Sequence, residues 1–302
     1  MRRLVTIAGA CCAAGASTAL AVGQGGQARA APRAEPMAAP SHQVQAVVAA
    51  LTRAAGAHPL AFPAARQFVH VSSVSSQGLV FSRHPNHPFD PPRQLYAASP
   101  QAFITWSEQT STSPQRRGRT STGPVSVHFP TPADRAAWVR IGRPKLTGSV
   151  PRSQSIAPAV YELGATRLTR AQLFAVANDP AAAYRRYLSR VASPATILGQ
   201  VGAELGTVGF PPRLRTTVIR ALALFPGVRA VDEPGRGAIG LKVAGASGGP
   251  STKLIFDPTT ATVTAIEQSS RFGFSFLTGR VVAIRQTTRF VQRTVTDARG
   301  VS

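Results

Sequence analysis

Four stretches of this chain carry residue types that could do chemistry. Gly245-Ala246-Ser247-Gly248-Gly249 has the spacing of a nucleophile elbow. That device needs a strand before the serine and a helix after it, so that the hydroxyl sits exposed at a helix N-terminus. A strand pattern does precede Gly245, but Pro250 and a second strand pattern follow it. The stretch reads as a hairpin loop. Gly235-Arg236-Gly237-Ala238-Ile239-Gly240 matches a dinucleotide fingerprint, which must open a helix to hold a pyrophosphate. Here Ile239, Leu241 and Val243 continue with a period of two, the mark of a strand. His84, His87 and Asp90 offer two imidazoles and a carboxylate, enough in type for a metal. Two prolines within that segment and two more directly after Asp90 extend it, and no second cluster completes a coordination shell. Asp232 and Glu233 are adjacent on a strand end, so their side chains point apart, a poor geometry for paired carboxylates.

No catalytic set, metal site or cofactor site emerges. A hydrolase built on Ser247 and one of the six histidines is the enzymatic alternative. His70 and His128 read as packed or exposed residues. Two other groups are candidates for ligand contact. Phe68, Phe103 and Trp106 are aromatics on strand patterns, and read first as core. Arg116, Arg117 and Arg119 form a basic loop that could meet anionic headgroups or polymers.

The elements that must position these residues are legible in blocks. Residues 42–55 carry Val44, Val47, Val48 and Leu51 at helical spacing. Residues 67–74 alternate as a strand, and 78–83 read as its return. Residues 84–98 read as a polar, proline-rich loop, 102–109 as a strand, and 115–123 as a turn with a short strand. Residues 124–158 read as irregular, with one helical turn near 134–139. Three start signals then follow in a helical middle: Thr169-x-x-Gln172, a capping box; Asp179–Pro180; and Ser193–Pro194. Tyr184, Tyr187, Leu188 and Val191 make one stripe, and Ile197, Leu198, Val201 and Leu205 the next.

The helix after Pro211–Pro212 carries Leu214, Val218, Leu222 and Phe225 on one face, with Arg213 and Arg220 off it. Pro226–Gly227 ends it. Strands follow at 228–232, 239–243, 254–256 and 263–267, with Asp257-Pro258-Thr259-Thr260 as a turn. Residues 279–295 read as a long last strand with a bend. Segregated helices and antiparallel strands mean an α+β fold. The order places a cluster of helices between N- and C-terminal strands, and its resemblance to the half-barrels of lipoprotein carriers and sigma-regulator sensors implies that the antiparallel β-sheet is curved and half-barrel-like. Its concave face is then a candidate apolar pocket.

Composition bounds the rest. The chain of 302 residues carries a formal charge of +22, almost all from arginine. Such a field attracts anionic lipid, wall polymers or nucleic acid. The basic residues are dispersed and form no stripe or known motif, so nucleic acid is not the expected partner. Arg2–Arg3, an apolar run over residues 4–22 and Ala28-Arg29-Ala30 read as an export signal with a cleavage site. The run is long enough to serve as an uncleaved anchor. Cys11 and Cys12 lie inside it without the aliphatic residue a lipobox needs. Cleavage leaves a chain with no cysteine, which excludes disulfides and thiol chemistry. The organisation expected is residues 1–30 as signal peptide or anchor, 31–41 as tether, 42–296 as one domain, and 297–302 as tail.

The stretch PPRLRTTVIRALALFPGV, a strand, a Gly-rich turn, a strand and LIFDPTTATV resembles an actinobacterial family of uncharacterised extracytoplasmic proteins. Members usually carry PGV after this helix and an IFDP-T-G-x-L hairpin. The resemblance covers residues 168–268 most clearly. Ala261 departs from it, where the family usually has glycine. The family has no assigned catalytic residues. It implies an envelope-associated, regulatory role, since members are often encoded beside extracytoplasmic-function sigma factors and often span a membrane. The element order also resembles the half-barrels of lipoprotein carriers and sigma-regulator sensors. The expected function is a non-enzymatic extracytoplasmic binding or sensor module for an apolar or anionic envelope ligand or a partner protein, linked to sigma-factor signalling. Its expected partners are a lipid or other envelope amphiphile, or a membrane or sigma-factor regulatory protein. A structural protein without a small ligand is the second reading.

Overall fold

The computed structural model describes residues 39–81, 100–146, 153–159, 161–163, 166–176, 179–188, 193–207, 210–233, 237–244, 249–270, 275–278 and 281–297. The export segment, most of the tether, the His84–Asp90 loop and Ser247 lie outside them. Among the described residues no helix is long and apolar enough to cross a membrane.

The chain is α+β, and its antiparallel sheet is curved and open. It starts with helix α1 (His42–Ala57), capped by the Ser41 hydroxyl, with Val44, Val48, Leu51 and Ala55 buried. Strand β1 (Phe68–Phe81) follows. Two shorter strands were expected here. The polar run Ser72–Gly78 resembles a turn in composition, yet it is paired on both sides, with β2 (Gln101–Thr112) and with β13 (Val281–Thr296). Backbone pairing on both edges satisfies the ladder whatever the side chains are. The irregularity sits in β13 instead, where Val291 and Ile284 are extra residues opposite Ser72/Ser73 and Gly78/Leu79. These two bulges supply the expected bend.

Residues 124–158 are more ordered than their prolines suggest. Next to β3 (Gly118–Thr122), they hold β4 (Ser126–His128), helix α2 (Pro132–Arg140) and β5 (Ser153–Ile156). A short hairpin, β6 (Tyr161–Leu163) and β7 (Thr166–Leu168), precedes the helices and is a second sheet. The capping box at Thr169 and Gln172 starts α3 (Arg170–Phe174), as read. Asp179 caps α4 (Pro180–Ala183), which continues as a π-turn over Tyr184–Leu188. Then come α5 (Pro194–Gly206) and α6 (Pro212–Leu222).

The final strands are β8 (Val228–Glu233), β9 (Ala238–Ala244), β10 (Ser251–Phe256), β11 (Val263–Ser269), β12 (Ser275–Thr278) and β13. The sheet runs β5-β3-β2-β1-β13-β11-β10-β9-β8, with β4 beside β2 and β12 beside β13. Its centre is thus the seam between the first and the last long strand. The helices are inserted between the halves this seam joins. Gly240 takes part in β9, so the dinucleotide fingerprint does not open a helix. At the β10–β11 turn, Asp257 accepts a hydrogen bond from the Thr259 amide at 2.7 Å. Ala261 adopts φ +53° there, the region that favours the glycine of the resembled family.

Helix α5 lies on the concave face of the sheet. Gly199, Gly202 and Gly206 form its contact stripe. A methyl group at Gly202 would stand 2.2 Å from Leu254, and one at Gly206 2.3 Å from Phe290. The main core joins this helix to α1, α6 and strands β9–β11. A smaller core lies at the other end of the concave face. There Leu79, Phe81, Ile104, Val281 and Ala283 are covered by Trp138 and Ile141 at α2 and by Leu146.

Three arginines close the connection between α1 and β1. Arg215 is 2 % exposed and donates to the carbonyls of His58 (3.3 Å) and Thr260 (2.6 Å). Burial, with a smaller push from Arg293, holds its guanidinium down to about 10, still a cation at neutral pH. Arg293 donates to Ala61 (2.9 Å) and Thr207 (2.8 Å), and Arg170 to Pro63.

Candidate functional site

The β1–β2 register runs without a shift, so Ser73, Ser75, Gln77 and Leu79 share one face with Glu108, Trp106, Ile104 and Ala102. Across the seam, the same face carries Phe290, Thr288, Gln286 and Ala283 of β13. Through β11 and β10 it continues to Ile266 and Leu254, which touch α5. This is the concave face.

It is graded. At one level Ser73 faces Glu108; at the next Ser75 faces Trp106 and Thr288. Gln77 then sits between Ile104 and Gln286, and Leu79 between Ala102 and Ala283. β1 and β13 change from polar to apolar at the same height, β2 changes one level earlier at Ile104, and Phe290 of β13 stands beside Ser73 at the other end. The apolar end is the smaller core beneath α2. An open cavity of about 290 Å³ lies at that end, lined by Phe81, Pro100, Ala137, Arg140 and Ile141.

The polar end is built around Glu108. Thr110 donates to its Oε1 at 3.1 Å, and Thr120 stands 3.1 Å behind Thr110 in the same chain of hydroxyls. Glu108, Thr110 and Thr120 are all buried. Burial pushes the Glu108 carboxyl above its ordinary value, and the Thr110 bond offsets only part of that. Ser75 pairs with Thr288 at 3.1 Å. The Trp106 indole N–H is buried with no hydrogen-bond partner among the described residues, although the residue is 5 % exposed. A buried donor without a partner costs about 1–3 kcal/mol. Gln286 and Thr288 are partly open to solvent. The face therefore presents a donor, a costly carboxylate and several amides and hydroxyls beside an apolar patch.

The six candidate contacts separate. Trp106 is on this face. Phe68 and Phe103 are on the opposite one, because their positions are even in β1 and odd in β2. Phe103 lies across Gly78, which has no side chain to obstruct it. Arg116 stacks 4.7 Å over the Phe68 ring, so these two are brought together, but away from the concave face. Arg117 is exposed, and Arg119 is exposed and donates to Ser153 at 2.8 Å. Asp232 and Glu233 diverge as expected, Glu233 pairing with Lys253 at 2.6 Å. No group of three or more metal-ligating side chains occurs among the described residues.

No protein-family model matches this chain, and no curated protein or solved structure is significantly similar to it. The site is therefore judged on its own chemistry. Glu108, Ser75, Gln77 and Thr110 are the residues sequence reading missed. Parity was the available signal: counting by two from Trp106 reaches Ile104 and Glu108, and never Phe103.

Replacing Glu108 by Gln keeps the shape and removes the buried charge. We expect Glu108→Gln to be more stable than the parent by roughly 1 kcal/mol at neutral pH. A raised carboxyl pKa disfavours the fold only while that carboxyl is ionised. The difference should thus shrink as pH falls through the folded carboxyl's pKa and vanish below the ordinary carboxylate range. Urea titrations of both proteins across that range check it; a gap independent of pH contradicts it.

Proposed function

We propose that this protein is a non-enzymatic extracytoplasmic binding or sensor module for an envelope amphiphile. The observation that carries the reading is the passage from polar to apolar side chains along this face, from Ser73, Ser75, Glu108 and Thr288 to Leu79, Ile104 and Ala283. An amphiphile matches it with its apolar part towards Leu79 and Ile104 and its polar head at Trp106 and Glu108. The head chemistry follows from the side chains. An indole N–H donates to a hydroxyl or carbonyl oxygen, and a carboxylate accepts from a hydroxyl or an ammonium. An anionic head would meet the Glu108 charge, so hydroxylated or amine-bearing heads fit better. The proposal extends to export by the N-terminal segment. Coupling to a membrane or sigma-factor regulatory partner belongs to it too, and rests on the resemblance alone.

The test is native against denaturing mass spectrometry of the gently purified protein. The expected result is an added mass that leaves on denaturation and fragments as an amphiphile. Trp106→Phe should lower its occupancy about tenfold, the scale of one hydrogen bond in a desolvated site, with the circular dichroism unchanged. A clean apo mass, with no binding from a panel of hydroxylated and amine-headed amphiphiles, would turn the reading to protein–protein interaction.

A further inference from the structure

The cap over the apolar end has a chemistry of its own. Helix α2 begins with a capping box, Thr131 and Asp134, and ends at Gly142 with φ +87°. The Arg143 amide donates to the Trp138 carbonyl, and the Gly142 amide to that of Val139. This pair of bonds is a Schellman stop. The Trp138 indole N–H then donates to the Pro144 carbonyl at 3.0 Å, pinning the chain that leaves the helix.

These devices display Arg135, Arg140, Arg143 and Lys145 on one short rigid element. All four are exposed, and none has a carboxylate partner among the described residues. The segment's single acid, Asp134, is occupied by the Thr131 amide and hydroxyl and by the Gln101 amide. Amid these cations stands Val139, 41 % exposed; Val127 of the neighbouring β4 is 45 % exposed. Arg140 also lines the 290 Å³ cavity, whose other walls are apolar. Cations set around exposed aliphatic side chains, with an aromatic beneath, suit the interface of an anionic bilayer. Phosphates meet the arginines there, and the valines enter the headgroup boundary.

We propose that the α2 cap docks on the surface of an anionic phospholipid membrane. Four basic residues together make an attraction that is strong at low salt and screened at high salt. The docking is separate from amphiphile binding on the concave face and stands without it.

The chain has two tryptophans, so Trp106→Phe leaves Trp138 as the only indole, at the centre of the cap. The probe is vesicles of phosphatidylglycerol and phosphatidylcholine with brominated acyl chains, titrated into the full chain. We expect quenching of Trp138 with the anionic vesicles and little with pure phosphatidylcholine. Replacing Arg135, Arg140, Arg143 and Lys145 by Gln should abolish the quenching. Replacing Arg229, Lys242, Arg285 and Arg289 removes the same charge from the convex face and should leave it. Trp138 that stays unquenched with anionic vesicles overturns the proposal. So does equal loss in both quadruple variants, which would assign the effect to net charge. Binding of soluble polyphosphate through the four cap residues, without quenching by vesicles, would assign the patch to a polyanion and equally overturn it.

Discussion

Arg215→Ala is expected to destabilise the fold by roughly 3 kcal/mol. The side chain is fully enclosed and reaches two backbone carbonyls, His58 at the end of α1 and Thr260 in the β10–β11 turn. Truncation leaves both without these donors and opens a cavity where the aliphatic stem lay. Relief from burying a cation offsets part of the loss, which is why the figure is not larger. Arg215→Met separates the contributions. It keeps the stem and loses the donors, so about 1 kcal/mol is expected. Urea denaturation of the three proteins is the measurement. An Ala variant within 1 kcal/mol of the parent would mean that the carbonyls find other donors and that Arg215 is only filler.

Gly202→Val should cost a similar amount, roughly 3 kcal/mol. Gly202 lies at the centre of the stripe that seats α5 on the sheet. A Cβ there would stand 2.2 Å from the Leu254 side chain and 3.3 Å from Ile266. Leu254 is fully buried and Ile266 nearly so, so neither can swing into solvent. The helix must lift from β10 and β11, and its hold on Phe290 through Gly206 weakens with it. Three glycines in one helix already sacrifice about 1 kcal/mol each in propensity, a loss that close packing must recover. The decisive comparison is the double variant with Leu254→Ala. Making room should restore at least half of the stability, a coupling between neighbours that separate sites would not show. If the two changes add, the clash is not the cause.

How much of this was visible beforehand depends on what each feature rests on. Local signals were reliable. The Thr169 capping box, the Asp179–Pro180 start, the Leu214–Phe225 stripe and the Asp257 turn are decided within a few residues of chain, and the structure has them all. The α+β class with inserted helices followed from their order. What failed was non-local. The Ser72–Gly78 run looks like a turn until its two partners, thirty and more than two hundred residues away, are known. The prolines and glycine around helix α2 look like breakers in sequence, which predicts a single turn; in the fold Pro132 is its first residue behind the Thr131 cap, and Gly142 is its stop. At the site, Trp106 was named and Glu108 was not, since a lone acid on a strand carries no signal until burial raises its cost. Arg215 was passed over because arginine on a helix ordinarily belongs to the wet face, and only the tertiary packing puts it inside.

The arginines that gather on residues 58–63 have a consequence for life at low pH. Cations of folded proteins are commonly tethered to Asp or Glu, and such tethers let go when the carboxylates take up protons. Here Arg215, Arg293 and Arg170 hold the main-chain oxygens of His58, Ala61 and Pro63. An amide oxygen does not titrate at any pH at which carboxylates take up their protons. With only 12 acidic residues against 34 basic ones, the chain has few bonds for acid to dissolve. The closure that fastens its first helix to its central strand should outlast acidification that loosens the Lys253 cluster on the other face.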